Sequence, residues 1–171
     1  NSTDEALAGY GNKIHIQVDE EHNSIQVRDY GRGVPFGIID GRNILVAIYT
    51  ESHTGGKFDK GAYKNSSGLN GIGGTAVCMS LKMFKVISLR SNIFAEAYFE
   101  KGNLISYKED KCEIDTPDGT LVAFTPDKEV FKNMEEGFSF DKICAEIKNI
   151  AYLNKGIHFI VEKYQGESVE Y

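Results

Sequence analysis

Apolar and polar residues alternate twice near the start of the chain. Ile14, Ile16 and Val18 share one face of residues 13–19, and Ile25 and Val27 share one face of residues 24–29. A period of two is that of a half-buried strand, and His22-Asn23 between the runs marks a turn. Residues 1–8 read instead as the end of a helix that stops near Gly9 and Gly11. The chain breaks at Gly31-Arg32-Gly33-Val34-Pro35. Residues 42–51 then carry helical apolar spacing at Ile44, Leu45, Ile48 and Tyr49, and residues 75–83 are again apolar and helix-like. Strand-like runs follow at 84–89, 93–100, 104–108 and 120–125. A helical stripe of Phe140, Ile143, Ile147 and Ile150 spans residues 139–153, and Gly156 precedes a last strand at 157–162. There is no internal repeat and no low-complexity linker. Strands outnumber helices but the two are mixed, which predicts an α+β fold: a two-layer α/β sandwich with helices on one face of a mostly antiparallel mixed sheet.

Composition narrows this picture. A length of 171 residues fits one domain, and 41% hydrophobic with 26% charged residues is the balance of a soluble globular protein. No apolar run approaches a membrane span and no signal peptide opens the chain, so a cytoplasmic protein with no membrane partner is expected. A net charge of −6 argues against a surface that grips nucleic acid by itself. Cys78, Cys112 and Cys144 are odd in number and far apart, which predicts free thiols. His15, His22, His53 and His158 stand singly, without metal-ligand spacing.

Seven of the 18 glycines fall within residues 55–74, a stretch without proline that also carries Lys57, Lys60 and Lys64. Glycines let main-chain N–H groups approach an anion, and a following helix adds converging donors and a favourable dipole. A phosphate would sit here. Gly71-Ile72-Gly73-Gly74-Thr75-Ala76 formally fits the dinucleotide pattern, but polar Lys64-Asn65-Ser66-Ser67 stands near where that pattern needs a buried strand. No Gly-Lys-Ser/Thr is present either, so both the Rossmann and P-loop readings fail on context.

Three further clusters carry candidate chemistry. Asn1, Asp4 and Glu5 share a helix face, and an Asn oxygen is a hard, neutral ligand suited to Mg²⁺. Asp29 ends a strand beside a glycine turn, where its carboxylate could accept a hydrogen bond from an exocyclic amine such as adenine N6, while Arg32 could pair with Glu5. Asp118-Gly119-Thr120 enters a strand and offers a hydroxyl to a purine edge or its water. Taken singly, each is equally an ordinary helix start or turn.

Taken in order, Asn1-Ser-Thr-Asp-Glu-Ala, Asp29-Tyr-Gly-Arg-Gly-Val-Pro, Thr54-Gly-Gly-Lys-Phe-Asp, Gly68-Leu-Asn-Gly-Ile-Gly and Gly119-Thr resemble the ATPase domain of type IIA DNA topoisomerase B subunits, those of gyrase and topoisomerase IV. That family lies within the gyrase, chaperone, histidine kinase and mismatch-repair ATPase superfamily. The resemblance implies a Bergerat-type fold and a single ATP-binding domain over residues 1–171. It also implies that an N-terminal segment and a downstream transducer domain are missing. It implies ATP and Mg²⁺ as ligands, homodimerisation on ATP binding, an A subunit reached through other domains, and DNA handled by the whole enzyme. A mismatch-repair or chaperone-type ATPase and a dimerisation module without turnover are the alternatives.

By motif position, Asn1 resembles the Mg²⁺ ligand, Asp29 the adenine-N6 acceptor, and Glu5 with Arg32 the pair beneath the pocket. Gly33, Val34, Pro35 and Ile48 would border or line it, with Val27 and Val122 deeper. Lys57 and Tyr63 match lid residues. Leu69, Asn70, Gly71, Ile72 and Gly73 would give main-chain donors to the phosphates, and Thr120 would share a water with Asp29. The family's general-base glutamate would precede Asn1 by one helical turn. A basic residue at the pocket rim of gyrase B subunits is expected to correspond to Glu96.

Overall fold

The alternation at the start of the chain closes as an antiparallel pair. The computed structural model, which describes residues 2–51, 73–113, 115–134 and 136–171, sets Ile16 opposite Val27 and Val18 opposite Ile25. In chain order the elements are helix α1 (Ser2–Leu7), strands β1 (Lys13–Asp19) and β2 (Ser24–Asp29), and the short pair β3 (Ile38–Ile39) and β4 (Arg42–Asn43). Helices α2 (Ile44–Thr50) and α3 (Gly73–Ser80) come next, then strands β5 (Leu81–Arg90), β6 (Ile93–Glu100), β7 (Asn103–Lys111) and β8 (Gly119–Pro126). Helix α4 (Phe140–Leu153) and strands β9 (His158–Lys163) and β10 (Ser168–Glu170) complete the chain.

Eight strands form one sheet in the order β10-β9-β1-β2-β8-β5-β6-β7. Each pairing is antiparallel except that of β1 with β9. The inner face reads as cross-sheet rows: Val161, Ile16, Val27, Val122, Val86 and Ala97 form one, and Ile25, Phe124, Phe84 and Phe99 run in the next. The helices cover this face in two groups. Phe140, Ile143, Cys144 and Ile147 of α4 and Ala6 of α1 pack on β1, β2 and β9, while Leu45 and Tyr49 of α2 and Cys78 of α3 pack on β5 and β6. Phe124 touches both cores. Tyr49, Phe84 and Phe99 form a ring cluster with centroids 5.0 to 6.4 Å apart. The sandwich expected from sequence is the one observed.

Three local differences have physical reasons. The helix expected over residues 75–83 ends at Ser80, because Leu81 already lies opposite Pro126 and its carbonyl accepts the Lys101 N–H at 3.1 Å. The small hairpin β3–β4 was not anticipated. Asp40 and Gly41 both take positive φ (51° and 75°), the geometry an Asp-Gly hairpin turn prefers. Strand β10 was also missed; it is short, mostly exposed, and pairs only at the sheet edge. Cys78, Cys112 and Cys144 are free thiols, as expected. Among the described residues, no helix is long and apolar enough to cross a membrane.

Candidate functional site

Asp29 is the last residue of β2, and strand alternation turns it to the inner face, where it is 8% exposed. The row it occupies runs through Ile14, Asp29, Thr120, Ser88 and Ala95, so three polar residues interrupt a face that is apolar in the rows behind. Burying polar groups is costly unless each is paired. The Asp29 Oδ1 accepts the N–H of Gly31 at 3.1 Å and that of Thr120 at 3.0 Å. Its Oδ2 accepts the Ser2 hydroxyl at 2.9 Å. Ser88, fully buried, donates to the Val34 carbonyl at 2.6 Å. Donors from α1, the following turn and β8 therefore fix one carboxylate in a single orientation.

The pair expected between Glu5 and Arg32 is formed. Glu5, on the inward side of α1 and 9% exposed, accepts from Arg32 Nε at 2.8 Å, Nη2 at 3.0 Å and the Arg32 main-chain N–H at 3.0 Å. The guanidinium also stacks on Tyr10, 3.8 Å from the ring centroid. Such a fork-to-fork pair fixes geometry as well as charge. It requires glycine at 31, since a Cβ there would lie 2.3 Å from Glu5 Cγ. Helix α1 is thereby locked to the turn that follows Asp29.

The apolar wall comes from the α2 side. Val34, Ile48 and Val122 are half-buried against the core of α2, α3, β5 and β6, Pro35 is half-buried in the turn, and Val27 packs on the opposite core. Asn43 caps α2 by accepting the Val46 N–H at 3.1 Å. The Thr75 hydroxyl donates to the Glu51 carbonyl at 3.2 Å, tying the start of α3 to the end of α2. Gly73 opens α3 and is exposed, with open space where a Cβ would stand. Asn1, Lys57, Tyr63, Leu69, Asn70, Gly71 and Ile72 lie outside the described residues.

The structure corrects one assignment and adds residues that sequence reasoning missed. Glu96 lies on the outer face of β6, paired with Lys85 at 2.7 Å and Lys108 at 3.4 Å, away from the Asp29 row. Both lysines hold its carboxyl below the ordinary value, against the opposing effect of burial, which is the largest single contribution. A second basic residue besides Arg32 reaches the turn, from β5: Arg90, whose Nη1 approaches the Gly33 carbonyl at 3.4 Å. Ser2 and Ser88 were also missed. Ser88 had a legible signal: a polar residue at the inward position after Phe84 and Val86. Ser2 had none beyond its place next to Asn1. Among the described residues, no group of three or more His, Cys, Asp or Glu could hold a metal ion.

No protein-family model matches the chain. Among curated proteins it is 34% identical over 169 residues to the topoisomerase IV B subunit of Enterococcus faecalis, matching 98% of this chain and 24% of that protein. It is 37% identical over 171 residues to the DNA gyrase B subunit of Metamycoplasma hominis, matching 96% of this chain and 26% of that one. The chain thus spans about a quarter of the length of these relatives. Among solved structures, the 43K ATPase domain of Thermus thermophilus gyrase B, crystallised with an aminocoumarin, superposes with a TM-score of 0.81 at 28% identity. That match covers 99% of this chain and 42% of that one.

Proposed function

We infer, from a chain that is a homologue of the gyrase B and topoisomerase IV B subunits and has the fold of the gyrase B ATPase domain, that it binds and hydrolyses ATP within a type II DNA topoisomerase. The observation that carries this reading is the Asp29 carboxylate, fixed at a strand end by three donors and flanked by the Glu5–Arg32 pair. Asp29 accepts the adenine N6 amine, and Thr120 shares its water. Val34, Pro35 and Ile48 cover the base, beside Gly33, with Arg90 at the rim.

Main-chain N–H groups of Leu69, Asn70, Gly71, Ile72 and Gly73 cradle the phosphates, and Lys57 and Tyr63 belong to the covering lid. The amide oxygen of Asn1 fits Mg²⁺, a hard cation that takes few protein ligands beside phosphates and water. When bound, such an ion would neutralise phosphate charge. The general base is assigned to a glutamate one helical turn ahead of Asn1. ATP binding favours dimerisation of two such domains, closing a gate on a DNA segment, and hydrolysis resets it. The A subunit and DNA are engaged through other parts of the protein, in the cytoplasm.

Calorimetry of adenine nucleotide binding to Asp29→Asn tests the pocket. Loss of the charged acceptor weakens binding by about 1.5–3 kcal/mol. Unchanged affinity would return Asp29 to the role of a turn residue. ATPase assays on the full-length, DNA-bound enzyme test turnover, and an inactive enzyme would reject hydrolysis.

A further inference from the structure

Arg28 precedes Asp29 in β2, so its side chain leaves from the opposite face of the sheet, in register with His15 of β1 and Leu121 of β8. There the guanidinium turns toward the strand ends. Its Nη2 donates to the carbonyls of Pro117 at 2.8 Å and Asp118 at 3.3 Å. Its Cζ lies 4.9 Å from the Tyr30 ring centroid, and Lys13 Nζ lies 5.4 Å from the same ring. The Nη1 is buried and makes no hydrogen bond among the described residues. It is pressed against Gly119, where a Cβ would come within 2.8 Å of it and 2.2 Å of the Asp29 carbonyl oxygen. Burial lowers the guanidinium's pKa from its ordinary value, opposed by Asp29, Tyr30 and Asp118. An arginine with no task would keep both amino groups in water, since an unpaired buried donor is costly.

We propose that Arg28 is a positioning residue of the adenine pocket. From the far face of the sheet it fastens the 117–119 turn, so that Gly119 lies flat on the end of β2 and the Thr120 N–H meets the Asp29 Oδ1. The turn has a second tie, since Asp118 Oδ1 accepts the Ser91 N–H at 2.8 Å from the β5–β6 connection. Beyond the turn, Gly119 and Thr120 are paired with Leu89 and Ser88 of β5 and Leu121 with Arg28 of β2, and the Arg28 side chain is what joins the Pro117 and Asp118 carbonyls to the strand bearing Asp29. Releasing it lets the turn draw back, and the carboxylate loses one of the two main-chain donors that orient Oδ1. Arg28 thus touches no ligand and acts through Asp29.

This inference rests on the nucleotide reading, and the experiment separates the two. ADP dissociation constants and melting temperatures are measured on the intact protein as wild type, Arg28→Ala, Arg28→Lys, Asp29→Asn and the Arg28→Ala/Asp29→Asn double variant. Arg28→Ala raises the dissociation constant roughly tenfold, the worth of one hydrogen bond to a charged acceptor. Arg28→Lys, which reaches a single carbonyl, falls between that and wild type. In the Asp29→Asn background, Arg28→Ala changes affinity by no more than about twofold, because two residues acting through one contact are not additive.

A lower melting temperature with wild-type affinity in Arg28→Ala makes Arg28 purely structural and overturns the inference, as does a full tenfold effect in the Asp29→Asn background. Should Arg28→Ala fail to fold, wild-type affinity in Arg28→Lys overturns it. If Asp29→Asn loses binding while the Arg28 variants keep it, only this inference falls. If the wild type binds no ADP, the nucleotide reading falls with it.

Discussion

A carboxylate whose Oδ1 holds two main-chain N–H groups has little freedom to rotate, so at Asp29 one side-chain torsion is set by three separate segments of chain. The same economy governs Arg32. Arg32→Ala takes the guanidinium from Glu5 but leaves it the main-chain N–H of residue 32, so the cost falls below the roughly 3–5 kcal/mol of breaking a buried pair outright. Arg32 is itself about a quarter exposed, so urea denaturation is expected to show a loss of about 2–3 kcal/mol. Gly31→Ala acts on the same pair by collision, since the new Cβ would meet Glu5 Cγ at 2.3 Å, and nucleotide binding falls with stability. Asp29, Glu5 and Arg32 were legible in the sequence because their motifs, taken in order, resemble those of the type IIA topoisomerase B-subunit ATPase domain, whereas charge and spacing alone left each an ordinary helix start or turn. Arg28 and Arg90 were not, because arginines near strand ends are ordinary and only folding brings them to the 117–119 and 31–35 turns.

Among the elements, α4 draws on a residue distant in sequence for its start. Ser139 caps it from within by accepting the Lys142 N–H at 3.4 Å, while Glu20, from the β1–β2 turn, accepts the Phe140 N–H at 2.7 Å and pairs with Lys163 at 2.6 Å. Lys163 first, then that N–H, hold the Glu20 carboxyl below its ordinary value of 4.5. A folded-state pKa lowered in this way contributes stability above pH 4.5 that is lost as pH falls through the folded value. Far-ultraviolet circular dichroism during acid titration reads this. Glu20→Gln is expected to flatten the acid limb of the stability profile, and an unchanged limb would assign the acid sensitivity elsewhere.

Sequence periodicity located β1, β2, β6 and α4 to within a residue or so, because each has one wet face and one buried face and its pattern has a single period. It failed at the α3–β5 junction, where Cys78, Leu81 and Phe84 are all buried and a period of three runs unbroken across two elements.

At the scale of the molecule, the polar row of Asp29, Thr120 and Ser88 lies where the α1–α4 core and the α2–α3 core meet along the sheet. A nucleotide seated there contacts both halves and stabilises the domain as a whole. At a free concentration of about a hundred times its dissociation constant it adds about 2.7 kcal/mol. For a domain of this size that raises the melting temperature by roughly 5–10 °C. Scanning calorimetry with ADP reads the shift, and Asp29→Asn is expected to shrink it.

Sheet order was the part of the fold that no local pattern could carry, since the parallel pairing of Lys13 with His158 joins residues from opposite ends of the chain. That pairing has a consequence for how the protein is born. A chain emerging from the ribosome shows β1 well before its second partner, with one edge paired to β2 and the other bare until α4 and β9 have been translated. At about 5–20 residues per second the bare edge waits on the order of ten seconds, open to the wrong strand. The strand beside Asp29 therefore waits for its second partner until β9 has been made.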